Sequence, residues 1–269
     1  MTFTELFNAD VRIQRDIPYL ADSAEPRHRL DLYAPPNAEN LPVVIYFYGG
    51  GWRSGDKRLF EHLGRAFAVR GIVAATVNYR LTPAVQHPAH ADDCAQAVRW
   101  VHQHISQFGG NPNSLFLMGH SAGAHLAAFV ALNSDLQTRN QFPAEAVRGV
   151  VAISGVYNLN THAESPGFTS LELIHEAFGG AAQELHEASP VHHISQFHPP
   201  FLVMVAEQDP ERMRDGGKQF ANALREAGNE ARFVSIRGRD HFSIVRRFGP
   251  TGDTTVEAIA QFVRHWGAG

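Results

Sequence analysis

Six short stretches of this chain are dense in β-branched and other apolar residues, and most are separated by segments in which apolar positions recur every three or four residues. The stretches read VVIYFY (43–48), IVAATVNY (72–79), LFLMG (115–119), VRGVVAIS (147–154), FLVMVAE (201–207) and ARFVSIR (231–237). Near-continuous Val, Ile, Leu and Phe suits strands of a parallel sheet covered on both faces, because neither side of such a strand meets water. Two earlier segments, VRIQRDIPY (11–19) and RHRLDLYAP (28–35), alternate more clearly and predict an antiparallel edge.

The intervening segments carry helical periodicity. In 89–108, Cys94, Ala97, Val98, Val101, Ile105 and Phe108 fall at offsets 0, 3, 4, 7, 11 and 14, one face of a helix. Residues 57–70, 211–227 and 254–266 read the same way. Alternating β and α elements predict an α/β fold: an open, mostly parallel sheet with helices on both faces. Neither an internal repeat nor a linker rich in Gly, Ser or Pro divides the chain, so residues 1–269 are expected to form one domain. The segment 155–198 breaks the rhythm and reads as loop, with a short helix around 169–178. It predicts a small cap-like insertion in place of a full cap domain. Such sheets bind ligands beyond the carboxyl ends of their strands, which is where the chemistry should lie.

Composition narrows the function classes. At 269 residues and 44% hydrophobic, the chain can bury one large core. Its formal charge of −4, with Lys and Arg scattered, argues against a nucleic-acid partner. The first residues, MTFTELFNADVRIQRD, lack a basic stretch followed by an apolar one, which predicts no secretory leader. No apolar run approaches the roughly 20 residues that span a bilayer, so no membrane partner is expected. The single cysteine, Cys94, rules out an internal disulfide and fits the reducing cytoplasm. A homodimer is compatible with all of this.

The candidate chemistry centres on LFLMGHSAGAHLA (115–127), where Gly119-His120-Ser121-Ala122-Gly123 has the form G-x-S-x-G. At a sharp strand-turn-helix junction, the residues two before and two after the central serine crowd neighbouring backbone, so both are glycine. The serine hydroxyl then stands at the sheet edge, and the Ala122 amide points from a helix N-terminus. The plainer alternative is a glycine-rich turn in which Ser121 only caps a helix. A serine needs a base to take its proton and a third group to orient that base. Asp209 follows one strand, 88 residues beyond Ser121, and His241 follows the next strand 32 residues later. Asp209 would also serve as a helix N-cap before Pro210 and Glu211. Glu207 and Asp240 are rival acids: Glu207 reads as the end of a strand, and Asp240 adjoins the base too closely to bend round to it. The stretch YFYGGGW (46–52) places three glycines directly after a strand, where they do nothing to stabilise it. They let backbone amides converge on one point, with Gly50, Gly51 and Ala122 as candidate oxyanion donors; a plain tight turn is the alternative.

With these residues in view, the chain resembles the α/β-hydrolase superfamily. Within it, the chain is similar to the esterase group that includes hormone-sensitive-lipase-like carboxylesterases and kynurenine formamidase-like enzymes. YGGGW, VNYRL, HPAHADDCAQAVRWV, GGNPNSLFLMGHSAGAHLA and DHFSI carry the likeness, over most of 30–245. Tyr48 stands where the family's glycine loop usually has histidine. The resemblance implies hydrolysis through an acyl-enzyme at Ser121, His241 and Asp209, with no metal and no organic cofactor. The expected substrate is a small short-acyl ester, with N-formylkynurenine and its formamide bond as the rival. A catalytically inactive binding protein on the same fold would be expected to have lost one of the three residues, and none is lost. Sixteen histidines raise the question of a metal, but His87/His90, His102/His104 and His192/His193 fall in no metal-site spacing. His102 and His104 are expected to be solvated, and His120 and His125 to be packing or pocket residues.

Overall fold

The computed structural model describes residues 2–141, 144–163, 171–249 and 252–267. Eight strands form one sheet: β1 (Arg12–Pro18), β2 (Arg29–Ala34), β3 (Leu41–Phe47), β4 (Val73–Val77), β5 (Gly110–His120), β6 (Val147–Ile153), β7 (Phe201–Ala206) and β8 (Ala231–Ile236). Their spatial order is β1-β2-β4-β3-β5-β6-β7-β8. β1 and β2, the two alternating segments, pair antiparallel, and β2 meets β4 antiparallel. Every pairing from β4 through β8 is parallel. The six apolar stretches are thus the parallel strands, and β4 and β7 are buried at every position.

The helices are α1 (Phe3–Asn8), α2 (Glu61–Ala68), α3 (Ala89–His104), α4 (Ala122–Leu132), α5 (Ser134–Asn140) and α6 (Leu159–Ala163). α7 (Leu171–Phe178), α8 (Ala182–Glu187), α9 (Glu211–Glu226), α10 (Ser243–Arg246) and α11 (Thr254–Gly267) follow. α4 packs on β5 and β6 beside α3, α9 on β7 and β8, and α2 and α11 contact each other over other strands. α4 shows no amphipathic pattern because every residue in it is buried. No helix among the described residues is long and apolar enough to cross a membrane.

The segment 155–198 is more helical than its sequence suggests. It contains α6, α7, α8 and a 3₁₀ turn at Pro190–His193. These pieces are only four to eight residues long, too short to develop a visible period. α7 supplies the short helix expected around 169–178, while positions 169 and 170 lie outside the described residues. His102 and His104 are each partly covered rather than fully solvated, and His104 stacks on Trp100 with ring centres 4.7 Å apart.

The strand registers position the site. Phe47 aligns with Gly119, His120 with Ile153, Ile153 with Met204, and Ala206 with Ile236. β3, β5, β6, β7 and β8 therefore end along one edge, and the loops that follow them emerge side by side.

Candidate active site

Ser121 sits at the turn from β5 into α4 with φ 55° and ψ −120°, a conformation costly for any residue but glycine. Its amide donates to the Ile153 carbonyl (2.9 Å), and its carbonyl accepts from Ala124 (3.0 Å) and His125 (3.2 Å). The flanking glycines answer to sterics. A Cβ on Gly119 would overlap the Gly123 carbonyl, and a Cβ on Gly123 would overlap the carbonyl of Phe47.

Asp209 lies in the turn after β7, almost fully buried, and two of its three partners come from distant parts of the chain. Oδ1 accepts from His241 Nδ1 at 2.8 Å. Oδ2 accepts from the Ser154 hydroxyl (2.6 Å) and from the Ala206 amide (2.7 Å). Because Oδ1 is an acceptor, His241 carries its hydrogen on Nδ1, so in the neutral ring Nε2 is the nitrogen with the lone pair that can accept a proton. Asp209 does not cap the following helix: α9 begins at Glu211 with Pro210 as its cap residue. Glu207 lies just beyond β7 rather than inside it, is exposed, and accepts from the Gly238 amide (2.8 Å). Asp240 accepts from the amides of Phe242 (2.9 Å) and Ser243 (2.8 Å), closing its own turn.

His120 is buried, and its Nε2 donates to the carbonyl of His241 at 2.7 Å, with the two rings 4.7 Å apart. Burial, then the neighbouring charge of His241, pushes its pKa down to about 3, so it stays neutral. The glycine loop is braced from beneath. Gly50, at φ 125°, accepts from the amides of Arg53 (3.2 Å) and Ser54 (3.0 Å). Tyr48, in place of histidine, is buried and stacks between Phe60 and Tyr79. Its hydroxyl accepts from Arg27, which also donates to the carbonyls of Gly55 and Tyr79. Among the described residues, the amides of Gly50, Gly51 and Ala122 have no protein acceptor.

Ser121, His241, His120, Gly50 and Gly51 border one cavity of about 490 Å³, otherwise walled by side chains such as Phe60, Leu173 and Val245. A larger cavity, about 710 Å³, lies along α9 and touches neither Ser121 nor His241. Sequence reasoning missed Ser154, Arg27 and the link from His120 to His241. No local pattern marks them, because each acts on a residue far away in the chain. His87, His90 and His125, far from any metal-site spacing, pack with Trp52 around Phe178 of α7.

The arrangement offers an orientated imidazole beside a strained serine, bordered by a loop with unoccupied amides. Known proteins are similar to this chain in sequence and in fold. Isoprenylcysteine alpha-carbonyl methylesterase from Arabidopsis thaliana is 33% identical, over 90% of this chain and 58% of its own length. The chain thus spans little more than half of that relative. Kynurenine formamidase from Danio rerio is 28% identical over 91% of this chain and 80% of its own. Esterase B from Lactobacillus rhamnosis superposes with a TM-score of 0.84 over 99% of this chain and 91% of its own, at 21% identity, a likeness of fold. The BD-FAE family model matches residues 30–224. With an eight-stranded, mostly parallel sheet and these relatives, the chain belongs to the BD-FAE family of α/β-hydrolases.

Proposed function

We propose that this protein is a serine carboxylic ester hydrolase acting on small, short-acyl esters. The observation that carries the reading is the 2.8 Å bond from His241 to Asp209 beside a serine held at φ 55° on the same cavity. Ser121 attacks the acyl carbonyl, and His241 Nε2 takes its proton. Asp209 holds the imidazole in the tautomer this requires and offsets the charge it gains. The amides of Gly50, Gly51 and Ala122 donate to the oxyanion of the tetrahedral intermediate. His241 then protonates the leaving alcohol, and water, deprotonated by the same nitrogen, releases the acid from the acyl-enzyme. A cavity of about 490 Å³ suits a short acyl chain.

The relatives support ester hydrolysis, since the Arabidopsis protein is a methylesterase. A second reading, an arylformamidase cleaving N-formylkynurenine with the same residues, is favoured by the kynurenine formamidase match, of which this chain covers 80%. Paired kcat/KM values on 4-nitrophenyl acetate and N-formylkynurenine separate the two. The mechanism itself is tested with Ser121→Ala, which should stay folded while losing turnover by several orders of magnitude, and with a phosphonate that should add its mass to the wild type only. Near wild-type turnover in the alanine variant would refute the proposal.

A further inference from the structure

We propose that Arg246 recognises a carboxylate on the substrate, so that the compounds turned over at this site include acyl compounds with an anionic end. The inference rests on the hydrolytic reading above and names a substrate class within it. Arg246 closes α10, five residues after His241, and borders the same cavity as Ser121 and His241. Its backbone is held by a 2.9 Å bond from its amide to the Phe242 carbonyl. Its guanidinium carbon lies 5.1 Å from the centre of the Phe242 ring, so the charge rests on an aromatic wall of the cavity.

Three further observations make this charge available to a ligand. Among the described residues, no Asp or Glu borders the cavity, and the guanidinium of Arg246 has no ion pair or hydrogen bond. Asp240, six residues earlier in the chain, is engaged with the backbone amides of Phe242 and Ser243. The charge also reaches into the site, since Arg246 is among the groups that oppose protonation of His120. Apart from Ser54 and the glycines, the remaining wall is apolar, formed by Leu59, Phe60, Leu173, Phe242 and Val245. A ligand matching this lining has an apolar or aromatic body and one carboxylate, which a guanidinium fork can hold with two parallel hydrogen bonds. A lone cation at a cavity mouth also raises the local concentration of anionic substrates.

The test compares 4-nitrophenyl hydrogen adipate with its neutral methyl ester, which has the same acyl length. The readout is the ratio of kcat/KM for the charged ester to that for the neutral one. In the Arg246→Gln variant this ratio should fall roughly tenfold, as expected for losing one charge pair at close range. It should fall further in Arg246→Glu, and about 0.5 M salt should lower it in the wild type by screening. A ratio unmoved by both substitutions overturns the assignment of Arg246 while leaving ester hydrolysis intact. If the wild type turns over neither ester and no phosphonate attaches to Ser121, the hydrolytic reading falls and takes this inference with it.

Discussion

His90→Leu removes an imidazole that folding has placed at a cost. His90 lies on α3 with no exposed surface, and among the described residues neither ring nitrogen has a hydrogen-bond partner. It faces Phe178, with ring centres 6.4 Å apart. Burial, then the charges of His87 and Arg80, pushes its pKa down to about 4 from 6.5. The folded state therefore holds the neutral ring, while the unfolded chain takes up a proton below about pH 6.5. The folded pKa is depressed, so the stability tied to the neutral ring is fully present above the unfolded value. It is lost as pH falls from there towards about 4. Proton linkage puts the loss between pH 7 and pH 5 at about 2 kcal/mol for this one group. His87 is pushed down to about 4 in the same way, and His120 and His125 to about 3. Together the four rings remove about 7 kcal/mol over that interval, comparable with the whole stability of many domains. Urea unfolding at pH 7 and pH 5, followed by tryptophan fluorescence, reads the effect directly. The wild type should lose about 2 kcal/mol more than His90→Leu on acidification. Equal losses in the two proteins would show that the ring is protonated or hydrated in the folded state, and would refute the reasoning.

Two further outcomes complement those given for Ser121 and Arg246. Asp209→Asn should lower kcat by about 10³ to 10⁴ by removing control of the His241 tautomer, while Glu207→Gln and Asp240→Asn stay within a few-fold of wild type. Steady-state kinetics with an active-site titration decides it, and a severe loss in Glu207→Gln with an active Asp209→Asn would reassign the acid. Gly123→Ala should destabilise the fold by about 3 kcal/mol or more, because the new methyl meets the backbone carbonyl of Phe47 and no rotamer change relieves it. A thermal midpoint within about 2 °C of wild type would remove the steric account of that glycine.

Much of the architecture is written locally. A strand with neighbours on both sides and helices on both faces can expose nothing polar, so β3 through β7 announce themselves as apolar runs, and alternation in β1 and β2 marks the edge. Gly119 and Gly123 are likewise dictated where they stand, since backbone passes within overlap distance of any Cβ there. The helices of 155–198 escape notice because a piece of four to eight residues is stabilised by what it packs on, not by its own period. The choice among acids is of the same kind. Glu207, Asp209 and Asp240 are equivalent as carboxylates in a sequence. Only the turn after β7 sends Asp209 inward to Ser154 and His241, while Glu207 faces solvent. Ser154, Arg27 and Arg246 gain their partners or their cavity the same way, through elements distant in the chain. Local sequence decides which residues must be apolar or small, because solvent and sterics act position by position. Which polar groups meet was decided by the register of six parallel strands, a property of the assembled sheet that no single stretch contains.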